Sequence, residues 1–210
     1  MTSKEPDLRR YTELPSLIHI LKHQELTLLD PSSWDDKNDS YFLSLYREKR
    51  GLKSVLALCF TIANETYHHW RIFAPGSAGV CLQLDAEEIK DAVSKVKGVT
   101  IKPVKYLTLP KIRATTLEKS RLPFLKRFAF QAENEVRMLW ESKTEKRNSL
   151  AVPFNRSSIT RITLSPWIHP TLSEELKVLI RSMKGCEKLH IYRSTLIGNE
   201  EWMEHGRSAT

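Results

Sequence analysis

Apolar residues at Leu14, Leu17, Ile18 and Leu21 recur at the three-and-four spacing of a helix face, and Thr12 or a neighbour stands where a side-chain oxygen would cap it. The period then shortens. Leu26, Leu28 and Leu29 predict a short strand over 25–30, and the polar run 31–39 reads as a loop of turn and cap residues. Asp39 is placed to cap a second helix carrying Phe42, Leu45 and Tyr46. Residues 54–61 are apolar on both alternations, as in a strand buried on both faces. A turn of helix around Trp70, a strand over 79–85 and an amphipathic helix over 86–97 stopped by Gly98 follow.

Residues 100–109 alternate around Pro103, which predicts an edge strand. Residues 115–130 read as one helix, bent near Pro123. Strands over 135–140, 150–154 and 159–164 come next, then a helix from Ser173 with Leu176, Leu179 and Ile180, and a last strand over 189–196. Helices interleave with short strands without regular βαβ alternation. The expected class is therefore α+β, a mixed and mostly antiparallel central sheet with flanking helices. With no internal repeat, low-complexity tract or linker, 1–210 reads as one domain with tails at about 1–7 and 203–210.

Composition narrows the setting. Hydrophobic residues at 40% are ample for a core, and the longest apolar stretch, 54–60, is far too short to span a bilayer. The first residues hold no apolar signal region, so a cytoplasmic location without membrane contact is expected. Cys59, Cys81 and Cys186 are odd in number and far apart, which fits reduced core thiols and excludes a CxxC site. The formal charge of +8 suggests a polyanionic partner, and Lys111, Arg113, Lys119, Arg121, Lys126 and Arg127 recur along the expected helical segment as candidate nucleic-acid contacts. Solvated helix faces account for the same charge equally well.

No Walker loop, GxGxxG, HExxH, GxSxG or EF-hand loop is present, which argues against ATP-driven work and conventional dehydrogenase chemistry. Scattered histidines give no metal-ligand spacing, and no metal is expected. Four stretches hold chemistry-bearing residues: Arg9-Arg10-Tyr11-Thr12, the loop from Trp34 to Asp39, His68-His69-Trp70-Arg71-Ile72-Phe73, and Glu133-Asn134-Glu135-Val136-Arg137. On a strand Glu133 and Glu135 would share a face, and neighbouring carboxylates divide into one that is raised in pKa and one that stays ionised. A solvated strand entrance neutralised by Arg137 explains the same pair. Arg10 with Tyr11 and Thr12 is suited to clamping a phosphate or ribose.

In this order the stretches resemble a bacterial family catalogued as a domain of unknown function. The matching segments are Arg10-Tyr11-Thr12, Trp34-Asp35-Asp36, Cys59-Phe60-Thr61, Trp70 to Ala74, Gly79 to Asp85, Glu133 to Arg137 and Ile159 to Leu164. Val136 departs from that pattern's Trp, and Ser165-Pro166 from its Gly. The layout also resembles the ADP-ribosyltransferase-like toxins and effectors, although the Ser-Thr-Ser strand of their arginine-modifying branch is missing. This resemblance implies an ADP-ribosyltransferase-like fold and NAD as substrate. Arg10, Tyr11 and Thr12 would hold its phosphates or ribose, Trp70 or Phe73 would stack on nicotinamide, and Glu135 would stabilise an oxocarbenium-like transition state. Glu133 would orient or deprotonate an acceptor, with nucleic acid the expected one. It further implies a role in phage defence or a toxin–antitoxin pair, with the antitoxin protein encoded separately. Two alternatives stay open: a non-catalytic nucleic-acid or protein-binding module, and a metal-dependent nuclease effector using Glu133, Glu135 and Asp36 around Mg²⁺.

Overall fold

A strand, not a helix cap, carries the Arg-Arg-Tyr-Thr stretch. In the computed structural model, which describes residues 5–207, Leu8–Glu13 (β1) runs antiparallel to a later strand from Leu8↔Leu84 to Glu13↔Gly79. Leu8 and Tyr11 are buried. The first helix, Leu14–His23 (α1), starts at Glu13 without a side-chain cap, and Pro15 presets its first turn. Glu25–Leu29 (β2) and Lys37–Arg50 (α2) follow. Asp36 is the cap of α2, its carboxylate accepting from the Asn38 and Asp39 amides, while Asp39 turns inward and is buried.

Ser54–Thr61 (β3), Tyr67–Phe73 (α3), Gly79–Leu84 (β4), Ala86–Ser94 (α4), Val99–Pro103 (β5) and Lys105–Leu107 (β6) continue the chain. The single helix expected over 115–130 does not form. Leu109–Arg113 (α5) ends before it, and a 3-10 turn at Lys119–Phe124, Leu125–Arg127 (β7) and a second 3-10 turn at Phe128–Glu133 take its place. Pro123 removes a backbone donor inside it, and Leu125–Arg127 pairs in parallel with β6. Glu135–Ser142 (β8), Ser149–Pro153 (β9), Ile159–Leu164 (β10), Pro170–Ser182 (α6), Ile191–Arg193 (β11) and Glu200–Arg207 (α7) complete the order. Over 203–207 the expected tail is instead the end of α7, whose first turn is tied by the Trp202 amide to the Asn199 side chain. Residues 1–4 and 208–210 of the expected tails lie outside the described residues.

Among the described residues the main sheet has nine strands, in the order β11-β10-β4-β1-β3-β2-β9, with β8 beside β3 and β5 beyond β8. Every pairing in it is antiparallel except β10 with β11. The class is α+β with a mostly antiparallel sheet. β3 and β8 pair along their whole lengths, from Ser54↔Ser142 to Thr61↔Glu135, so the two strands present matched faces. Leu56, Leu58, Phe60, Val136, Met138 and Trp140 bury with residues of α1, α4 and α6. Each such side chain contributes about 1.5–3 kcal/mol on burial. Val55, Ala57 and Leu139 face the other way, against Leu43 and Tyr46 of α2. No helix among the described residues is long and apolar enough to cross a membrane.

Candidate active site

The sheet is weakly joined beside β3. β1 meets β3 at one register pair, Arg9↔Thr61, and β2 meets it at one, Leu29↔Ala57. The stretch of β3 from Ala57 to Thr61 lines a cleft of about 470 Å³, with Arg9, Arg10 and Tyr11 among the other lining residues. That volume falls in the range of small-molecule sites. The Arg10 guanidinium spans the weak join, Nη1 donating to the Cys59 carbonyl at 3.0 Å, and Arg9 Nη1 donates to the Ala63 carbonyl at 2.8 Å. Burial lowers the pKa of Arg10, with Cys59 and Glu135 pulling it back up, and the group stays a cation.

Aromatic rings wall the space. Trp34, His69, Phe73 and Phe130 line it. The His69 ring stacks on Tyr11 at 5.4 Å, and its Nδ1 is hydrogen-bonded to Thr66 Oγ1 at 2.5 Å. Burial lowers the pKa of His69, so the imidazole is neutral at pH 7. Phe73, 42% exposed, offers its ring to the opening.

Behind these rings lies a buried set of charges. Arg137 has no exposed side-chain surface; its Nε donates to Glu135 Oε1 at 2.7 Å, and Nη1 and Nη2 donate to the two Asp39 oxygens at 2.8 and 2.6 Å. Nη1 also donates to the Pro123 carbonyl at 2.8 Å, and the guanidinium lies 5.0 Å over the Trp34 ring. Lys126 Nζ sits 2.5 Å from Glu133, 3.4 Å from Glu135 and 3.8 Å from Asp39. Three carboxylates thus face two cations, with Arg10 close enough to Glu135 to feel its charge. Isolated charges at this depth would be prohibitive, and pairing alone makes them tolerable.

The two glutamates are driven apart in proton affinity. Burial pushes Glu135 up, but Arg137 and Lys126 together outweigh it and hold the carboxylate below its ordinary value. Burial likewise pushes Glu133 up, and there the Lys126 contact does not compensate, with Glu135 and Asp39 adding to the rise. Neighbouring carboxyls separated in this way can serve one as a fixed anion, the other as a proton acceptor.

Of the residues singled out from sequence, Arg10, Tyr11, Phe73, Glu133 and Glu135 line the one cleft. Thr12 does not; it pairs with Val80 within the β1–β4 ladder. Trp70 does not either. It has no exposed surface, packs with Tyr11, Ala74 and Cys81, and donates Nε1 to Glu65 at 2.7 Å, so it cannot stack on a ligand. Glu133 and Glu135 do not share a strand face. Glu133 ends a 3-10 turn, and Asn134 takes a left-handed conformation (φ 43°) before β8 begins. Lys126, not strand alternation, brings the two carboxylates together.

The six basic candidates are spread over three elements. Lys111 and Arg113 are exposed on α5, Lys119 and Arg121 belong to the 3-10 turn, and Arg127 is exposed on β7. Lys126 is half-buried, and its ammonium lies among the carboxylates rather than on the exposed surface. Sequence reasoning missed the roles of His69 and Asp39, and paired Arg137 with the glutamates only as a solvated strand entrance, whereas Arg137 is fully buried. For the burial of Arg137 a signal existed: it follows Glu135 by two residues, so the two share a strand face, and Val136, Met138, Leu139 and Trp140 around it are apolar.

No family model matches the chain and no curated protein matches its sequence, so the bacterial family suggested by the motifs gains no support there. Solved structures similar to this chain include two of one protein. Thermus sp. 2.9 DarT in complex with ADP-ribosylated ssDNA has a TM-score of 0.45 and 11% identity, covering 91% of this chain and 97% of that one. Thermus sp. 2.9 DarT in complex with NAD+ has a TM-score of 0.45 and 12% identity, covering 92% of this chain and 98% of that one. At such identity the chemistry of the cleft has to be argued from this chain's own residues.

Proposed function

We propose that the chain is an NAD-dependent, ADP-ribosyltransferase-like effector acting on nucleic acid in the cytoplasm. The observation that carries this reading is the meeting of Arg10 and a carboxylate held ionised, Glu135, in one aromatic-walled cleft. In the proposed reaction the C1′–N bond of NAD breaks and its electron pair leaves with nicotinamide. Positive charge develops on the ribose, and Glu135 is the anion that stabilises it. The acceptor forms the new bond to C1′ and gives its proton to Glu133. Arg10 holds the pyrophosphate, and Phe73 takes the stacking role that Trp70 cannot.

The formal charge of +8, with Lys111, Arg113, Lys119 and Arg127 exposed, supports a polyanionic acceptor. Enzymatic modification of nucleic acid would harm the producing cell, so a separately encoded antitoxin accompanies this reading. The nuclease alternative is disfavoured by charge: Lys126 and Arg137 already neutralise Glu133 and Glu135, two of the three carboxylates that Mg²⁺ would need, and Asp36 is taken up in capping α2. The binding-module alternative draws on the commitment of Glu135 to Arg137, which a purely structural pair would also show.

Nicotinamide release from NAD, measured with and without RNA or DNA, tests the proposal, alongside polymer cleavage with and without EDTA. Release together with label transferred to one polymer is expected. EDTA-sensitive cleavage without nicotinamide release would overturn the reading in favour of a nuclease.

A further inference from the structure

We propose that Lys126 is the positioning residue of the cleft: its ammonium seats Glu133 beside Glu135 and leaves Glu133 the carboxylate that takes a proton from a bound acceptor. The inference deepens the transferase reading and rests on it for the acceptor.

Several observations meet on this side chain. The β6–β7 ribbon fixes its backbone through the register pair Tyr106↔Lys126. The side chain is 9% exposed, and a lysine so far withdrawn from water needs ion-pair partners. Its three N–H donors have three carboxylates within 3.8 Å: Glu133, Glu135 and Asp39. The Phe130 ring lies 5.0 Å from Nζ. A compact ammonium with rotatable donors can serve acids arriving from separate elements, whereas the planar fork of Arg137 is taken up by Asp39 and Glu135.

The two glutamates differ in what else holds them. Glu135 has Arg137 at 2.7 Å besides Lys126, and its side chain is 5% exposed. Glu133 has Lys126 as its one ion-pair partner among the described residues, and its side chain is 15% exposed at the cleft. Glu133 faces Glu135 from β8, Asp39 from α2 and Tyr106 from β6, and its backbone carbonyl lies 3.4 Å from His69 Nε2 of α3. Burial and the two other acids favour the protonated form of Glu133, and Lys126 opposes them. Without Lys126 that opposition is gone and the protonated form of Glu133 is favoured further, so the carboxyl is less able to accept a proton.

The test is ¹³C NMR titration of glutamate side-chain carboxyls, with the Glu133 signal assigned by its loss in Glu133→Gln. Lys126→Met is expected to move the Glu133 midpoint up by about 1–3 pH units, the effect of removing an opposite charge at this range. Lys126→Arg, which retains a cation, is expected to keep most of the wild-type position. The acid limb of the kcat–pH profile should move with the titration in Lys126→Met. A Glu133 midpoint unchanged in Lys126→Met would overturn the inference, as would a moved midpoint with an unmoved acid limb. If Lys126→Met does not fold, Lys126→Gln is titrated against the same criterion. Wild-type protein that releases no nicotinamide sinks the transferase reading alone, because the titration reads the carboxyls directly.

Discussion

Strand β8 has two faces that rest on different physics. Val136, Met138 and Trp140 enter the apolar core, where stability comes from area removed from water and is indifferent to pH. Glu135 and Arg137 leave from the opposite side into a buried ion cluster that stands only while every member is paired. Replacing such a cluster with apolar side chains of similar volume is often neutral or stabilising. Stability is therefore a weak reason for placing charges beside β3, and the cleft they line is a better one.

Arg137→Met should break this contrast most severely. It removes the cation nearest to Glu135 and Asp39 and leaves them to Lys126 at 3.4 and 3.8 Å, at a cost of about 3–5 kcal/mol in denaturant unfolding at pH 7. Met138→Ala, on the other face, should cost about 2–5 kcal/mol through the cavity it leaves. The two losses should part with pH. The loss in Arg137→Met should shrink as pH falls, because the stranded carboxylates take up protons, while that in Met138→Ala should not change. Identical pH responses would erase the distinction between the faces.

Glu135→Gln comes next. Turnover per folded molecule should fall by about 10²–10³-fold, roughly 3–4 kcal/mol on the barrier. Because Glu135 is paired with the buried Arg137, this isosteric change will also cost stability. The sign follows from the lowered pKa. Glu135 contributes stability that is present above the unfolded carboxylate value, near about 4.3, and is lost as pH falls through its lower folded value. The stability gap between wild type and variant should accordingly close in acid. A variant that unfolds yet retains full activity per folded molecule would make Glu135 structural.

The smallest effect belongs to His69. Its pKa is lowered by burial, so its contribution is complete above about 6.5 and declines as pH falls through that value toward the folded one. His69→Phe should flatten the slope of urea midpoints between about pH 5.5 and 7.5, by about 1 kcal/mol or less.

Much of the scaffold was legible because its signals are local. The apolar runs of β3 and β4 and the amphipathic pattern of α4 report their own burial. β1 was not, because it holds few apolar residues and owes its extended form to β4, some 70 residues away. Residues 115–130 misled for a related reason: their basic spacing imitates a solvated helix, while Pro123 and the pairing with β6 decide otherwise. Within the site, dispersed motifs pointed to Arg10 and Glu135 together. Spacing along α3 could not tell which of Trp70 and Phe73 faces the core. The bond from Arg137 to Asp39 joins residues 98 apart, beyond any local pattern.

The most direct test of the cleft is a crystal structure of the wild-type protein with a non-hydrolysable NAD analogue. The pyrophosphate is expected against Arg10, with the nicotinamide ribose within hydrogen-bond reach of Glu135 and the nicotinamide ring on Phe73. An analogue bound elsewhere, or lying in the cleft with its ribose turned away from Glu135, would contradict the proposed chemistry.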